Sequence, residues 1–432
     1  MRSVLWSLAL GSLLAVVPHV AQAADAAKTP SGAQAAPAAS RFKFSSPAEL
    51  VSQRQDGVLR IPLLPPSAEN PRNSEGDFIQ LADGRVMFVY SRFTGGGGDH
   101  AAADLAARFS SDGGQTWTDR DTILVANEAG CNVMSVSLLR LRGGPLALFY
   151  LRKNSVTDCR PCMRTSTDEG QTWSQAKICV EDRVGYYVLN NDRAVQLASG
   201  RILLPLALHC TPEEPKFQGA ATILCYRSDD QGATWRRSRS ELRTCPKTAP
   251  ATSGGPAAPS GRQVSEPAVK GLSPEGKPVV CQEPGLIELK DGRVMLYCRT
   301  TSGCQYVSFS SDGGDTWSPL GPSNILSPCS PAVIKRIPTS GDLLLVWNNH
   351  QDIAPELTKK RTPFNAALSR DEGQTWQHVK TLEDNPDGWY CYPAVEIIGD
   401  HVLVGHCSGD TKLVPHLAFT QITRFNLHWL YK

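Results

Sequence analysis

Residues 110–117 read SSDGGQTW, and the pattern Ser-x-Asp-x-Gly-x-Thr-Trp returns at 166–173 (STDEGQTW), 228–235 (SDDQGATW), 310–317 (SSDGGDTW) and 369–376 (SRDEGQTW). The Asp of each copy, Asp112, Asp168, Asp230, Asp312 and Asp371, follows the last by 56, 62, 82 and 59 residues, the period of a propeller blade with loops of variable length. In such a box the Asp and Ser side chains bond nearby backbone in a tight turn, Gly takes the positive φ, and Thr and Trp begin the next strand. On this reading the boxes hold turns together and do no chemistry.

Upstream of the boxes lie strand–turn–strand patterns: FIQLADGRVMFVY (78–90), VSLLRLRGGPLALFY (136–150), AVQLASGRILLPLAL (194–208), LIELKDGRVMLYC (286–298), AVIKRIPTSGDLLLVW (332–347) and AVEIIGDHVLVGH (394–406). Apolar alternation on both sides of a Gly-containing turn is the hairpin signal. Six units and five boxes predict an all-β chain, a six-bladed β-propeller with five Asp-box hairpins. The last blade ends differently, at HLAFTQITRFNLHWLY (416–431), and the ring is expected to close by pairing VLRIPLL (58–64) with it.

The chain of 432 residues carries a net charge of +2 with both signs interspersed, which gives no electrostatic case for nucleic acid or an anionic membrane surface. Met1 and Arg2, an apolar run from Val4 to Val17 and then Ala21-Gln22-Ala23 read as a cleaved signal over residues 1–23. Residues 24–40 read as a flexible Ala/Pro-rich leader, and 41–432 as the propeller, with an insertion at about 245–278. The expected location is therefore periplasmic or extracellular. No later stretch is long enough to span a membrane.

Thirteen cysteines in an exported chain predict some disulfides, with at least one thiol left over. Cys210 with Cys225 and Cys298 with Cys304 are the candidate pairs. Cys159-Arg160-Pro161-Cys162 has no second CxxC to complete a zinc site, so neither a metal nor another cofactor is expected. The expected partner is a glycan, and the expected state a monomer.

In a propeller the innermost strand of each blade starts near the central axis. Counting nine residues back from each turn glycine gives Glu75, Asn191, Glu283 and Tyr390, with Asn132 and Ser330 at similar places in irregular blades. Carboxylates and a tyrosine gathered at one level are where chemistry is expected.

At these residues the chain resembles the sialidases, Asp-box glycoside hydrolases. EPGLIELKDGRVMLYCRTTSG is similar to the family segment with the catalytic Glu and, sixteen residues later, an Arg; the resemblance implies Glu283 as the group that takes the nucleophile's proton, and Arg299 as a clamp for the substrate carboxylate. SRFTGGGGDHAAADLAARFSSDGG is similar to the segment with the acid/base Asp, implying Asp99. RTPFNAALSRDEG implies a second clamp arginine, Arg361. WYCYPAV resembles the segment with the nucleophilic tyrosine, and alignment on Ala-Val selects Tyr390, with Tyr392 the runner-up. The family's first clamp arginine belongs to an Arg-Ile-Pro motif at the start of blade one. Here Arg60-Ile61-Pro62 lies further upstream, Ser74 and Glu75 occupy the matching place, and Arg72 stands two residues away.

The resemblance implies a retaining exo-α-sialidase. A sugar with a carboxylate on its anomeric carbon repels a carboxylate nucleophile, whereas a tyrosine activated by Glu283 avoids that repulsion. Glu75 beside the clamp needs a cation, for which Arg193 is the candidate. Two alternatives stand beside this reading: a related hydrolase of another terminal sugar, and a non-catalytic carbohydrate-binding propeller. The quieter roles are an ion-pair network for Arg299 and Arg361, an aromatic wall for Trp389, Tyr390 and Tyr392, and structural strand histidines for His209 and His350.

Overall fold

Residues 52–244 and 278–432 are described in a computed structural model. The signal, the leader and all but the last residue of the insertion lie outside the described residues. Among the described residues no helix is long and apolar enough to cross a membrane.

Each of the six strand–turn–strand units closes as an antiparallel hairpin. The pairs nearest the turn are Gln80 with Val86, Arg140 with Leu146, Gln196 with Ile202, Glu288 with Val294, Arg336 with Leu343 and Ile398 with His401. The second strand of each hairpin is mostly apolar on both faces, because it lies between neighbouring sheets; Ile202–Cys210 is buried at every residue. Apolar clusters fill the wedges between sheets, as where Ile79, Met87 and Val89 meet Val136, Leu146, Leu148 and Tyr150.

Hydrogen bonding gathers the strands into five sheets, which corrects the expectation of six blades. Three have four strands each: Arg72–Gln80, Val86–Phe93, Ala103–Ser110 and Thr122–Val125; Cys281–Glu288, Val294–Thr300, Cys304–Ser310 and Gly321–Leu326; and Val333–Arg336, Leu343–Trp347, Phe364–Ser369 and Gln377–Glu383. A fourth has nine strands. In it Tyr186–Val188 pairs antiparallel with Ile202–Cys210 and, at Tyr186 opposite Cys159, parallel with Cys159–Ser166. That short strand fuses the second and third hairpins into one sheet, and it is the finding that overturns the count.

The fifth sheet closes the ring. Val58–Leu64 pairs antiparallel with the final strand Phe419–Asn426, which continues through His401–Ser408 to Cys391–Ile398.

The boxes are not the hairpin turns expected either. Every Thr-Trp pair lies outside a strand, and in three copies the next strand starts four or five residues beyond the Trp, at Thr122, Lys177 and Gly321. What closes each box is side-chain chemistry. In the fourth copy the Ser310 hydroxyl donates to Asp312 Oδ1 at 2.8 Å and accepts from Gly314 N at 2.8 Å, while Asp312 accepts from Thr316 N and Thr316 Oγ1. The same bonds recur in the other four.

The boxes also reach the neighbouring sheet. Arg424 donates to Gly113 O, Arg201 to Gly313 O, and Glu169 accepts from Ala82 N while pairing with Arg140.

The Thr172 and Thr234 hydroxyls hold the Asp168 and Asp230 carboxyls at about 2, below the ordinary 3.8. A lowered folded-state value gives stability that is present above the unfolded value and lost as pH falls through the folded one. The melting temperature is therefore expected to drop as pH is taken from about 4 to about 2. Ser310→Ala leaves the Gly314 N–H without its acceptor, and urea unfolding should register a loss of about 1 to 3 kcal/mol.

Candidate active site

Four innermost strands carry the same local device. The register slips between Ser74 and Asp77, Met134 and Ser137, Gln282 and Gly285, and Cys391 and Ala394. In each slip the first extra residue has a left-handed backbone: Glu75 (φ 55°), Ser135 (φ 60°), Glu283 (φ 50°) and Tyr392 (φ 54°). A β-bulge re-aims its side chain relative to the pleat, and a non-glycine residue in this region costs on the order of 1 to 2 kcal/mol. Such strain concentrates at functional sites. Glycine follows in two of the bulges because the backbone passes close to an aromatic ring: a Cβ on Gly76 would stand 2.5 Å from Phe88, and one on Gly285 2.4 Å from Tyr297.

Two of these residues meet. The Tyr392 hydroxyl donates to Glu283 Oε1 at 3.2 Å. Arg299, from the partner strand of the same hairpin, pairs with that oxygen at 3.0 Å and donates to Gln282 Oε1 at 2.6 Å. Arg361 lies over the rings of Trp389 and Tyr392, 5.0 and 5.5 Å from their centroids, and donates to Cys329 O. Burial, then the nearby Glu283 charge, pushes the Tyr392 hydroxyl far up, so it stays neutral. Glu283 Oε2 and the Nε and Nη1 of Arg299 are buried without a partner among the described residues. Unmet acceptor and donor capacity of this kind is what a polar ligand satisfies.

The second arm is built on Arg72, 2% exposed. Its guanidinium pairs with Glu75 at 3.1 Å and Asp99 at 2.6 Å and donates to Ser74 Oγ and Gly97 O. Ser135 Oγ donates to the other Glu75 oxygen at 2.8 Å. Burial raises the Glu75 carboxyl above its ordinary range against the pull of Arg72. Asp99 projects from the Gly-rich loop with 62% of its side chain exposed, and its carbonyl is held by Asn132 Nδ2 and Lys153 Nζ. Burial of its carboxyl works upward, but the charge and hydrogen bond of Arg72, together with the charges of Lys153 and His100, outweigh it and hold Asp99 below the ordinary range. The arms share one field, since Glu283 raises Glu75, and Glu75 raises Tyr392.

The structure thus gathers Arg72, Glu75, Asp99, Glu283, Arg299 and Arg361. It does not bring Tyr390 or Arg193 to them. Tyr390 packs in the apolar cluster with Phe364, Val395 and Val404, and the tyrosine at the site is Tyr392. Counting from the turn glycine misplaced it because a two-residue turn, Gly399-Asp400, replaces the five-residue turns of the other bulged hairpins. Arg193 is 1% exposed, donates to Ala332 O and lies over Tyr297, so the partner of Glu75 is Arg72.

Ser135 and Lys153 were not singled out in the sequence, nor was an aromatic cluster in which Phe217, 53% exposed, stacks on His209 at 4.3 Å and meets Tyr186 edge-on. The charges of Asp99 and Glu75 act on Tyr186, and those of Glu283 and Arg299 on His209, which places the cluster beside both arms. The expected cysteine pairs are not formed either: Cys210 Sγ donates to Val156 O, and Cys298 Sγ contacts Cys281.

A family model described as a BNR repeat-like domain matches residues 93–404. The anhydrosialidase of Macrobdella decora is 25% identical over 294 residues, 64% of this chain and 31% of that protein, so the chain spans about a third of that relative. Among solved structures, a Hadza microbial sialidase superposes with TM-score 0.63 at 16% identity, covering 83% of this chain and 66% of that one. Trypanosoma rangeli sialidase does so with TM-score 0.60 at 15% identity, covering 87% and 60%. At such identities the superpositions establish a shared propeller fold.

Removing the cation from a buried ion pair leaves an uncompensated charge. Arg72→Met is expected to lower unfolding free energy by about 3 to 5 kcal/mol at neutral pH, and adding Glu75→Gln to recover part of the loss. Urea titrations of the two single variants and the double variant measure the coupling.

Proposed function

The chain belongs to the BNR repeat-like domain family, and we propose that it is an exported, retaining exo-glycosidase of sialidase type that releases a terminal sialic acid from glycoconjugates. The observation that carries this reading is the hydrogen bond from Tyr392 to Glu283. A buried neutral tyrosine is a poor nucleophile unless a base takes its proton, and Glu283 is placed to do so. The names of the Macrobdella decora relative, anhydrosialidase, and of the structurally similar Trypanosoma rangeli sialidase agree with it.

Arg299 pairs with Glu283 and Arg361 lies over the Tyr392 ring, while Arg72 centres the second arm. Guanidinium forks suit a carboxylate, which they bind through paired, charge-assisted hydrogen bonds. Asp99 is the acid that protonates the leaving oxygen and then activates water. Arg72 keeps it ionised. A substrate carboxylate that engages Arg72 competes with Asp99 for the fork, and release from that cation lets the Asp99 carboxyl rise toward the range a general acid needs.

Glu75, already on Arg72, favours a second reading in which the site takes a different terminal sugar with the same machinery.

Release of methylumbelliferone from its sialoside tests the first reading. Tyr392→Phe and Glu283→Gln are expected to lower kcat by about 10³-fold or more, and Asp99→Asn by about 10²-fold. Tyr390→Phe should stay within about threefold of wild type, since its ring packs in the core. Equal damage from Tyr390→Phe and Tyr392→Phe would sink the assignment of the nucleophile. A folded wild type that is inert on sialosides but active on the glycoside of another terminal sugar would favour the second reading.

A further inference from the structure

Four of the twelve described cysteines, all standing as thiols, fall into two cross-strand pairs, and each pair flanks one of the bulges that present Glu283 and Tyr392. Cys281 and Cys298 have their sulfurs 3.0 Å apart, about one ångström beyond a disulfide bond of about 2.05 Å. Cys281 lies two residues before Glu283, and Cys298 next to Arg299. Cys391 is directly opposite Cys407 in the ladder and immediately precedes Tyr392. Residues directly opposite in an antiparallel pair have Cα atoms about 4.5 to 5.5 Å apart, inside the window of about 4.4 to 6.8 Å that a disulfide needs.

The second pair also lies against the clamp. Arg361 touches the Cys391 thiol, and Arg72 and Glu75 both act on Cys407. Burial works against ionisation of Cys391, yet the hydrogen bond from Cys407 and the charge of Arg361 outweigh it and lower the thiol. The other expected pairings have no such support: Cys225 faces Pro205 across its ladder, and Cys304 contacts the Ser302 hydroxyl.

We propose that Cys281 with Cys298, and Cys391 with Cys407, are disulfide-bonded in the protein folded under oxidising conditions, locking the strand pairs at the two bulges that hold Glu283 and Tyr392. Each bond forms by exchange with a disulfide oxidant while the sulfurs are still accessible. One cysteine thiolate attacks the oxidant's S–S bond, giving a mixed disulfide and one oxidant thiol. The second cysteine thiolate then displaces the other oxidant thiol. Two protein S–H bonds and one oxidant S–S bond are exchanged for one protein S–S bond and two oxidant S–H bonds, with two electrons passing to the oxidant. No substrate enters this argument, so it stands or falls apart from the glycosidase reading.

The test is alkylation of the full chain. Protein refolded with oxidised glutathione is denatured in guanidinium with N-ethylmaleimide, with or without prior reduction, and weighed by mass spectrometry. The expected result is nine adducts unreduced against thirteen reduced, one for each cysteine of the sequence. Peptide mapping should join Cys281 to Cys298 and Cys391 to Cys407, and reduction should lower the melting temperature of wild type. In the variant with all four changed to Ser, reduction should change neither adduct count nor melting temperature. Thirteen adducts from unreduced wild type, or links between other cysteines such as Cys210 and Cys225, would overturn the proposal.

Discussion

The amide of Asn191 is shared by two sheets. Its Nδ2 donates to Gly76 O at 3.0 Å and to Tyr392 O at 3.1 Å, backbone groups within the bulges of the first and last inner strands. Its neighbours extend the same role. Asp192 N donates to Val136 O, and the Asp192 carboxylate accepts from Val395 N and Lys335. Arg193 N donates to Ser137 Oγ, and its guanidinium to Ala332 O. Three consecutive residues outside any strand therefore satisfy backbone groups of several inner strands where the ladders have slipped and cannot satisfy them. Without that segment, bulges at Glu75, Ser135 and Tyr392 would leave buried polar groups unpaired.

This arrangement explains why the candidate site lies where the inner strands bulge. The bulges take up backbone strain to turn side chains inward, and the surrounding sheets, buried on both faces, keep them from relaxing. One arm then supplies a neutral hydroxyl against a carboxylate, and the other an arginine held between two carboxylates. The two arms differ in mobility by construction: Arg72 is enclosed, while Asp99 stands on an exposed loop fixed through its backbone carbonyl, so its carboxylate can leave without the loop moving.

Part of the site was legible from hairpin patterning: Glu75 and Glu283 were found because both precede a five-residue turn by the same interval. Asp99, Arg299 and Arg361 were reached instead through the resemblance of their segments to a known family. The same count failed for Tyr392, where the turn is shorter. Arg193 misled because proximity in sequence to Asn191 says nothing about direction at a segment with no regular pleat. In the fold, the hairpins were plain from alternation, whereas Tyr186–Val188 is three residues long and carries no periodic signal, so the fused sheet could not be foreseen. Thr-Trp of each box likewise looked like the start of a strand, because β-propensity does not reveal that an aromatic ring will serve as a wedge, as Trp117 does against Phe78 and Phe88.

The pairing of Val58–Leu64 with Phe419–Asn426 brings together residues more than 350 positions apart, at opposite ends of the described fold. During synthesis the first of these strands has only the three-residue strand Gln53–Gln55 beside it until the last has emerged. Until then it presents an open ladder edge, and the axis is lined by backbone groups whose partners come from both ends of the chain. Completion of the ring thus waits for the last strand of the described fold, and a truncation that removes that strand takes the latch from the whole circle.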